Sequence, residues 1–200
     1  MPNNKKRVRL SAEKRRQQLL SFAVSTTAKN GIGNAKHTEI AELSGVAVST
    51  VFFYFPTVEI LNSAVLDALE ELLAEISLER VYKENPNLPL IDLIEIYFSE
   101  SCDILLKQPD YAVIFLEWGV SINNDSRERY KAFRSGYIAL ISKILKQIVE
   151  KGNLRSDLNL QDTAIMLIAV LITLLRMKFF DDSKGAITEI FTCLDNYFHN

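Results

Sequence analysis

Apolar residues recur along the chain at intervals of three and four, the period of an amphipathic helix, and isolated glycines, prolines and asparagines break the runs. Ser11 is a good N-cap, and Leu19, Leu20, Ala23, Val24, Thr27 and Ala28 fall on one face of a first helix that Gly31 and Gly33 end. A short second helix is predicted from near Thr38; it buries Ile40, Ala41 and Leu43 and stops at Gly45. A third covers 48–55 and is closed by Pro56, because a proline drives the residue before it out of helical conformation. The β-branched and aromatic residues of that segment would also suit a strand, but the neighbouring helices and the turn at Gly45 decide for helix. Two short helices joined by a tight glycine-containing turn form the helix-turn-helix pattern, whose second helix enters the major groove of DNA.

Thr57 then caps a long helix carrying Leu61, Val65, Leu66, Leu69, Leu72, Leu73 and Ile76, which ends in a loop around Pro86 and Pro89 and links a head to a body. Further helices are predicted at 90–107, 110–122, 126–151, 160–180 and 184–198, punctuated by Pro109, Asn123-Asn124, Gly152 and Gly185. No run alternates as strands do. The fold class is therefore all-α: a three-helix, homeodomain-like head over residues 1–57 and a helical ligand-binding and dimerisation body over 58–200. The longest apolar stretch, 164–175, falls short of the ~20 residues of a membrane span and is expected to be a buried helix, with no membrane partner. The helix around it is apolar on nearly every side and must be covered all round. A second subunit is the simplest cover, with the last helix beside it, so Met166, Val170, Leu174, Ile187, Phe191 and Leu194 are expected at a two-fold dimer interface.

Charge brings in a partner. Residues 1–57 carry nine basic side chains (Lys5, Lys6, Arg7, Arg9, Lys14, Arg15, Arg16, Lys29, Lys36) against three acidic ones (Glu13, Glu39, Glu42), a net of +6. The remaining residues carry −8, so the overall −2 conceals a dipolar chain with one end suited to a polyanion. Residues 1–10 lack apolar periodicity and read as a basic arm. Hydrophobic residues make up 48% of the chain, which excludes disordered and fibrous classes. Cys102 and Cys193, far apart and without a signal peptide, are expected as small buried apolar residues in a reducing cytoplasm. Chemistry finds little support: His37 and His199 are the only histidines, so no metal cluster or catalytic triad assembles easily, and no cofactor is expected. Ser11-Ala12-Glu13-Lys14 matches a serine-acylase pattern without its companion motifs, and Gly31-Ile32-Gly33 lacks the third glycine and the strand of a nucleotide loop. The chain is not expected to be an enzyme.

The block Ile40-Ala41-Glu42-Leu43-Ser44-Gly45-Val46, followed by Val51-Phe52-Phe53-Tyr54-Phe55-Pro56, resembles the TetR family of transcriptional regulators. Arg7-Val8-Arg9-Leu10-Ser11, Gly31-Ile32-Gly33, Ser49-Thr50-Val51-Phe52, Tyr54-Phe55-Pro56-Thr57 and Leu116-Glu117-Trp118 are similar to patterns of its LuxR/HapR/SmcR group, the quorum-sensing master regulators. The resemblance implies a homodimer with two reading heads on double-stranded promoter DNA, a cavity in the body for a small apolar ligand, and dimerisation through the last two helices. It gives Arg7 and Arg9 a minor-groove role, with Lys5 and Lys6 beside them. Val48, Ser49, Thr50, Phe53 and Tyr54 are expected on the DNA side of the reading helix, with His37, Thr38 and Thr57 meeting phosphates at helix N-termini.

Three positions depart from the group's pattern. Phe53 stands where an Asn is usual, removing an amide that bonds base edges; Ala47 replaces a capping Ser; and Val58 replaces a Lys or Arg near the phosphates. In the body, Trp118 matches a pocket tryptophan of the group. Ile114, Phe115 and Trp118 on one helix and Phe133, Tyr137 and Ile141 on the next are the candidate cavity lining. Two rival readings stand beside a quorum-sensing regulator: a local repressor of an efflux or metabolic operon, and a helical ligand-binding or interaction dimer that has lost DNA reading.

Overall fold

The computed structural model describes residues 10–180 and 184–199. The arm residues Lys5, Lys6, Arg7 and Arg9 lie outside them. All regular structure among the described residues is helical, and the chain divides into two compact units, residues 1–69 and 70–200. The division falls inside a helix rather than at its start near residue 57.

In the N-terminal unit, α1 (Ala12–Asn30) opens where the Ser11 hydroxyl accepts the Lys14 N–H. It is followed by α2 (His37–Ser44), α3 (Val48–Tyr54) and α4 (Val58–Glu75), the last of which runs on into the second unit. Leu19, Ala23, Ile40, Ala41, Val51, Phe55, Leu61 and Val65 are buried, each apolar side chain of Val or Leu size contributing roughly 1.5–3 kcal/mol. Leu43, expected inside, is 53% exposed. Asn30 and Lys29 at the end of α1 both reach Glu39 of α2, at 2.8 and 3.3 Å. Those bonds, Asn30's first, hold the Glu39 carboxyl below its usual range.

The C-terminal unit contains α5 (Leu78–Glu84), α6 (Leu90–Lys107), α7 (Pro109–Trp118), α8 (Asn124–Glu150), α9 (Leu160–Phe179) and α10 (Lys184–His199). The sequence reads one long helix from Thr57 to the loop around Pro86, whereas the helix breaks after Glu75 and the chain resumes as the short α5; Ser77 caps it, and it buries Leu78, Val81 and Tyr82. Asn123 caps α8 by accepting the Ser126 N–H at 2.9 Å, and Asn159 caps α9 in the same manner. α9 packs along α8 and α6 and buries Thr163, Ala164, Leu167, Ile168, Leu174 and Leu175. At 20 residues it is longer than the apolar run that marks it in the sequence, and by length and composition it reaches membrane-spanning size. Only one face of it is buried in this unit; Ile165, Met166, Val170, Leu171 and Ile172 stay half-buried, so the expectation of a wholly buried helix holds for that face alone. α10 turns Phe191, Leu194 and Phe198 inward, with the Phe191 ring 5.7 Å from that of Phe98 on α6.

Candidate nucleic-acid interface and ligand cavity

The turn between α2 and α3 is built by Gly45, the residue after the last turn of α2, at φ 66° and ψ 33°. The Gly45 N–H donates to the Glu42 carbonyl and the Val46 N–H to that of Ala41, the paired closure that satisfies the last carbonyls of a helix. A left-handed residue costs an L side chain roughly 1–2 kcal/mol, which glycine avoids. α3 then starts at Ala47, which supplies no side-chain cap.

On α3, Val51 faces inward and Phe55 follows it into the core, the Arg16 guanidinium lying 5.3 Å from the Phe55 ring centre. The opposite face is open: Val48, Ser49, Phe52 and Phe53 are exposed, Phe53 by 77%, and Thr50 and Tyr54 are half-buried beside them. The five reading-helix candidates, Val48, Ser49, Thr50, Phe53 and Tyr54, therefore all retain surface. Thr38 is exposed in the first turn of α2, next to exposed Lys36.

His37 is a correction. It is 5% exposed, its Nε2 lies 2.6 Å from the Phe55 carbonyl oxygen, and its ring stacks on Phe52 at 4.2 Å. A buried ring tied to the chain end of α3 cannot meet a phosphate. Thr57 is exposed, but its hydroxyl accepts the Ile60 N–H and bonds the Glu59 carboxylate, which that bond holds below its usual range. Its first role is to cap α4.

The C-terminal unit encloses a cavity of about 360 Å³, within the range of small-ligand sites. One wall comes from α8, where Tyr130, Phe133, Arg134 and Tyr137 share a face at three- and four-residue spacing. Tyr97, Phe98 and Ser101 of α6, Phe115 of α7 and Ile168, Leu171, Ile172 and Leu175 of α9 supply much of the rest. The Tyr137 hydroxyl donates to that of Tyr97. Burial raises the pKa of both phenols, that of Tyr137 well above the usual tyrosine value, reinforced by the neighbouring Tyr97. Both stay neutral at ordinary pH.

Of the six candidate lining residues, Phe115, Phe133 and Tyr137 stand on the wall; Ile114, Trp118 and Ile141 are fully buried and do not line it. Trp118 cannot offer its indole N–H to a ligand, because that group donates to the Ser126 carbonyl at 2.8 Å and pins α7 to the start of α8. Its ring packs on Phe133 at 5.2 Å and on Tyr130 at 5.6 Å. Gly119 beside it leaves space for Tyr130, since a Cβ there would lie 2.9 Å from that ring. Arg134 and Tyr97 are wall residues that periodicity did not single out.

The interface candidates also separate. Met166, Val170 and Ile187 are half-buried, whereas Leu174, Phe191 and Leu194 are buried within the subunit's own core and have almost no surface to give a partner. Cys102 is buried as expected, and burial pushes its thiol up to about 11; Cys193 is exposed.

A helix-turn-helix with an open reading face, in a chain whose all-helical second unit encloses an apolar cavity, defines the class of one-chain transcriptional regulators. No family model matches the chain. It is 31% identical over 151 residues to the HTH-type transcriptional regulator LuxR of Vibrio harveyi, covering 73% of this chain and 70% of that protein. The fold is shared with a TetR-like transcriptional regulator from Rhodococcus sp. RHA1 (TM-score 0.73, 15% identity, 92% of this chain and 94% of the other). It is also shared with the regulator FadR from Bacillus subtilis in complex with stearoyl-CoA (TM-score 0.66, 20% identity, 84% and 89%). The chain belongs to the TetR family of transcriptional regulators, and over most of its length it is LuxR-like.

Proposed function

We propose that the chain is a cytoplasmic, homodimeric regulator that binds pseudo-palindromic promoter DNA through α3 and answers to a small apolar molecule in its cavity. The observation that carries this reading is the outward face of α3, where Ser49 and Thr50 offer hydroxyls to phosphates or base edges and Phe53 offers an apolar edge. Phe53 is 77% exposed and shares that open face with exposed Val48 and Phe52, so an apolar patch lies beside the two hydroxyls. With Phe53 in place of an amide, the fitting base contact is the thymine methyl, which apolar side chains read in the major groove. Lys36 and Thr38 supply phosphate contacts at the start of α2, and the basic arm, Lys5, Lys6, Arg7 and Arg9, adds minor-groove and phosphate contacts.

Dimerisation through α9 and α10 is supported by the half-buried apolar side chains Met166, Val170 and Ile187. Occupation of the cavity would act through α4, which begins in the DNA-binding unit at Val58 and continues into the unit that holds the cavity. Likeness to LuxR, together with the motif resemblance to its group, supports a place in quorum-sensing control. The stearoyl-CoA held by FadR, a protein of the same fold, supports a lipophilic ligand.

Selection of bound sequences from a random duplex pool tests the proposal. Two related half-sites about one helical turn apart, or a multiple of it, are expected. A pool with no enriched sequence would contradict it.

A further inference from the structure

The cavity wall carries one charge that nothing balances. Glu70 and Arg134 both line it, but Glu70 accepts the Arg129 Nε–H at 2.7 Å and is thereby neutralised. Arg134 is half-buried and has no carboxylate, carbonyl or ring partner among the described residues. Around it the lining is largely aromatic and aliphatic, and the tyrosine pair, in which Tyr137 donates to Tyr97, stays protonated and supplies no countercharge. A guanidinium is charged at every accessible pH and presents a planar fork of N–H donors that matches an oxyanion. In an apolar, partly dry setting, such a group favours an anion over a neutral or cationic group.

We infer that the cavity's ligand is an anionic amphiphile, an apolar tail with a carboxylate-like head, whose head pairs with the Arg134 guanidinium while the tail lies among Phe98, Phe115, Phe133 and the apolar side chains of α9. The inference rests on the reading of the cavity as a ligand site and adds the ligand's charge. A volume of about 360 Å³, near the lower end of ligand cavities, suits a tail of medium length. Arg134 is thus a specificity residue for the head group.

Trp118 supplies the readout. It is the chain's single tryptophan and its ring lies 5.2 Å from that of Phe133, a wall residue, so filling the cavity alters its emission. The dimer as purified is titrated with octanoate, octanol and octylammonium, which share one tail, and binding is followed by tryptophan fluorescence and by calorimetry. Octanoate is expected to bind about tenfold or more tighter than octanol, and octylammonium weakest, as a charge-assisted hydrogen bond implies. Arg134→Gln should bring octanoate to within about twofold of octanol, and Arg134→Lys should keep the order. The wild-type order decides the matter even if a variant fails to fold. Equal binding of the three, or tighter binding of octylammonium, overturns the anionic-head assignment and leaves the cavity a ligand site. Binding of none overturns both. Neither result touches DNA recognition by α3.

Discussion

His37 Nε2 sits 2.6 Å from the carbonyl oxygen of Phe55, joining the first residue of α2 to the residue that ends α3 across the helix-turn-helix. The bond closes a loop whose other side is the Gly45 turn, so α3 is held at both ends. It also satisfies a carbonyl at the C-terminus of a buried helix end, where water cannot substitute.

Replacing His37 with Ala leaves that carbonyl unpaired and removes the ring stacked on Phe52. A loss of about 1–3 kcal/mol in the stability of the N-terminal unit is expected from denaturant unfolding. DNA binding should weaken with it, by misplacing α3. An unchanged midpoint would show that the latch contributes nothing.

Phe53→Ala should alter which bases are preferred far more than it alters affinity for unrelated duplex, because the phosphate contacts remain. The check is a selected site carrying uracil in place of thymine. Wild-type protein is expected to lose affinity on that swap, by roughly 1 kcal/mol for the missing methyl contact, and Phe53→Ala to be indifferent to it. Equal sensitivity of the two proteins would remove the ring from base reading.

The tyrosine pair gives the body an alkaline limit. Burial raises both phenol pKa values in the folded chain, while an unfolded tyrosine ionises near ~10. Above that pH the unfolded state releases protons that the folded state retains, so unfolding becomes easier as pH rises; below it the contribution is complete. Stability measured from pH 8 to 11 should fall above about pH 10, and the double variant Tyr97→Phe with Tyr137→Phe should flatten the fall. An identical slope in the variant would assign the alkaline loss elsewhere.

Val170 is half-buried on α9 and is expected to be covered by a second subunit. Val170→Glu should convert dimers to monomers in sedimentation, because a carboxylate in an apolar two-fold contact meets its own copy nearby. A stable dimer in this variant would move the interface off that face of α9.

Much of this was legible because local chemistry fixed it. Ser11, Gly45 and Thr57 start or terminate helices through bonds to residues three or four positions away, Pro56 does so by barring helical conformation at Phe55, and the three-to-four spacing of apolar residues marked every long helix. Misplacements came where the deciding partner is distant in sequence. His37 looked like a polar residue at a helix start, and only the Phe55 carbonyl, eighteen positions on, takes it inside. Trp118 has its N–H taken by Ser126 across the α7–α8 junction. Leu174, Phe191 and Leu194 lie on helices with apolar faces, but periodicity does not say whether an apolar face meets its own subunit or another; α6 receives Phe191. α5 is too short for its period to show between Ile76 and Pro86. Arg134 was silent because being unpaired is a property of its neighbours.

The central claim is that the N-terminal unit is a cationic duplex-docking module. Fluorescence anisotropy of a labelled duplex, titrated with the protein at a series of salt concentrations, tests it most directly. A straight log–log plot that falls steeply is predicted, with a slope of about −0.9 for each phosphate neutralised, and Lys36→Ala should make it shallower by about one such step. A flat plot, or no binding at low salt, would contradict the account.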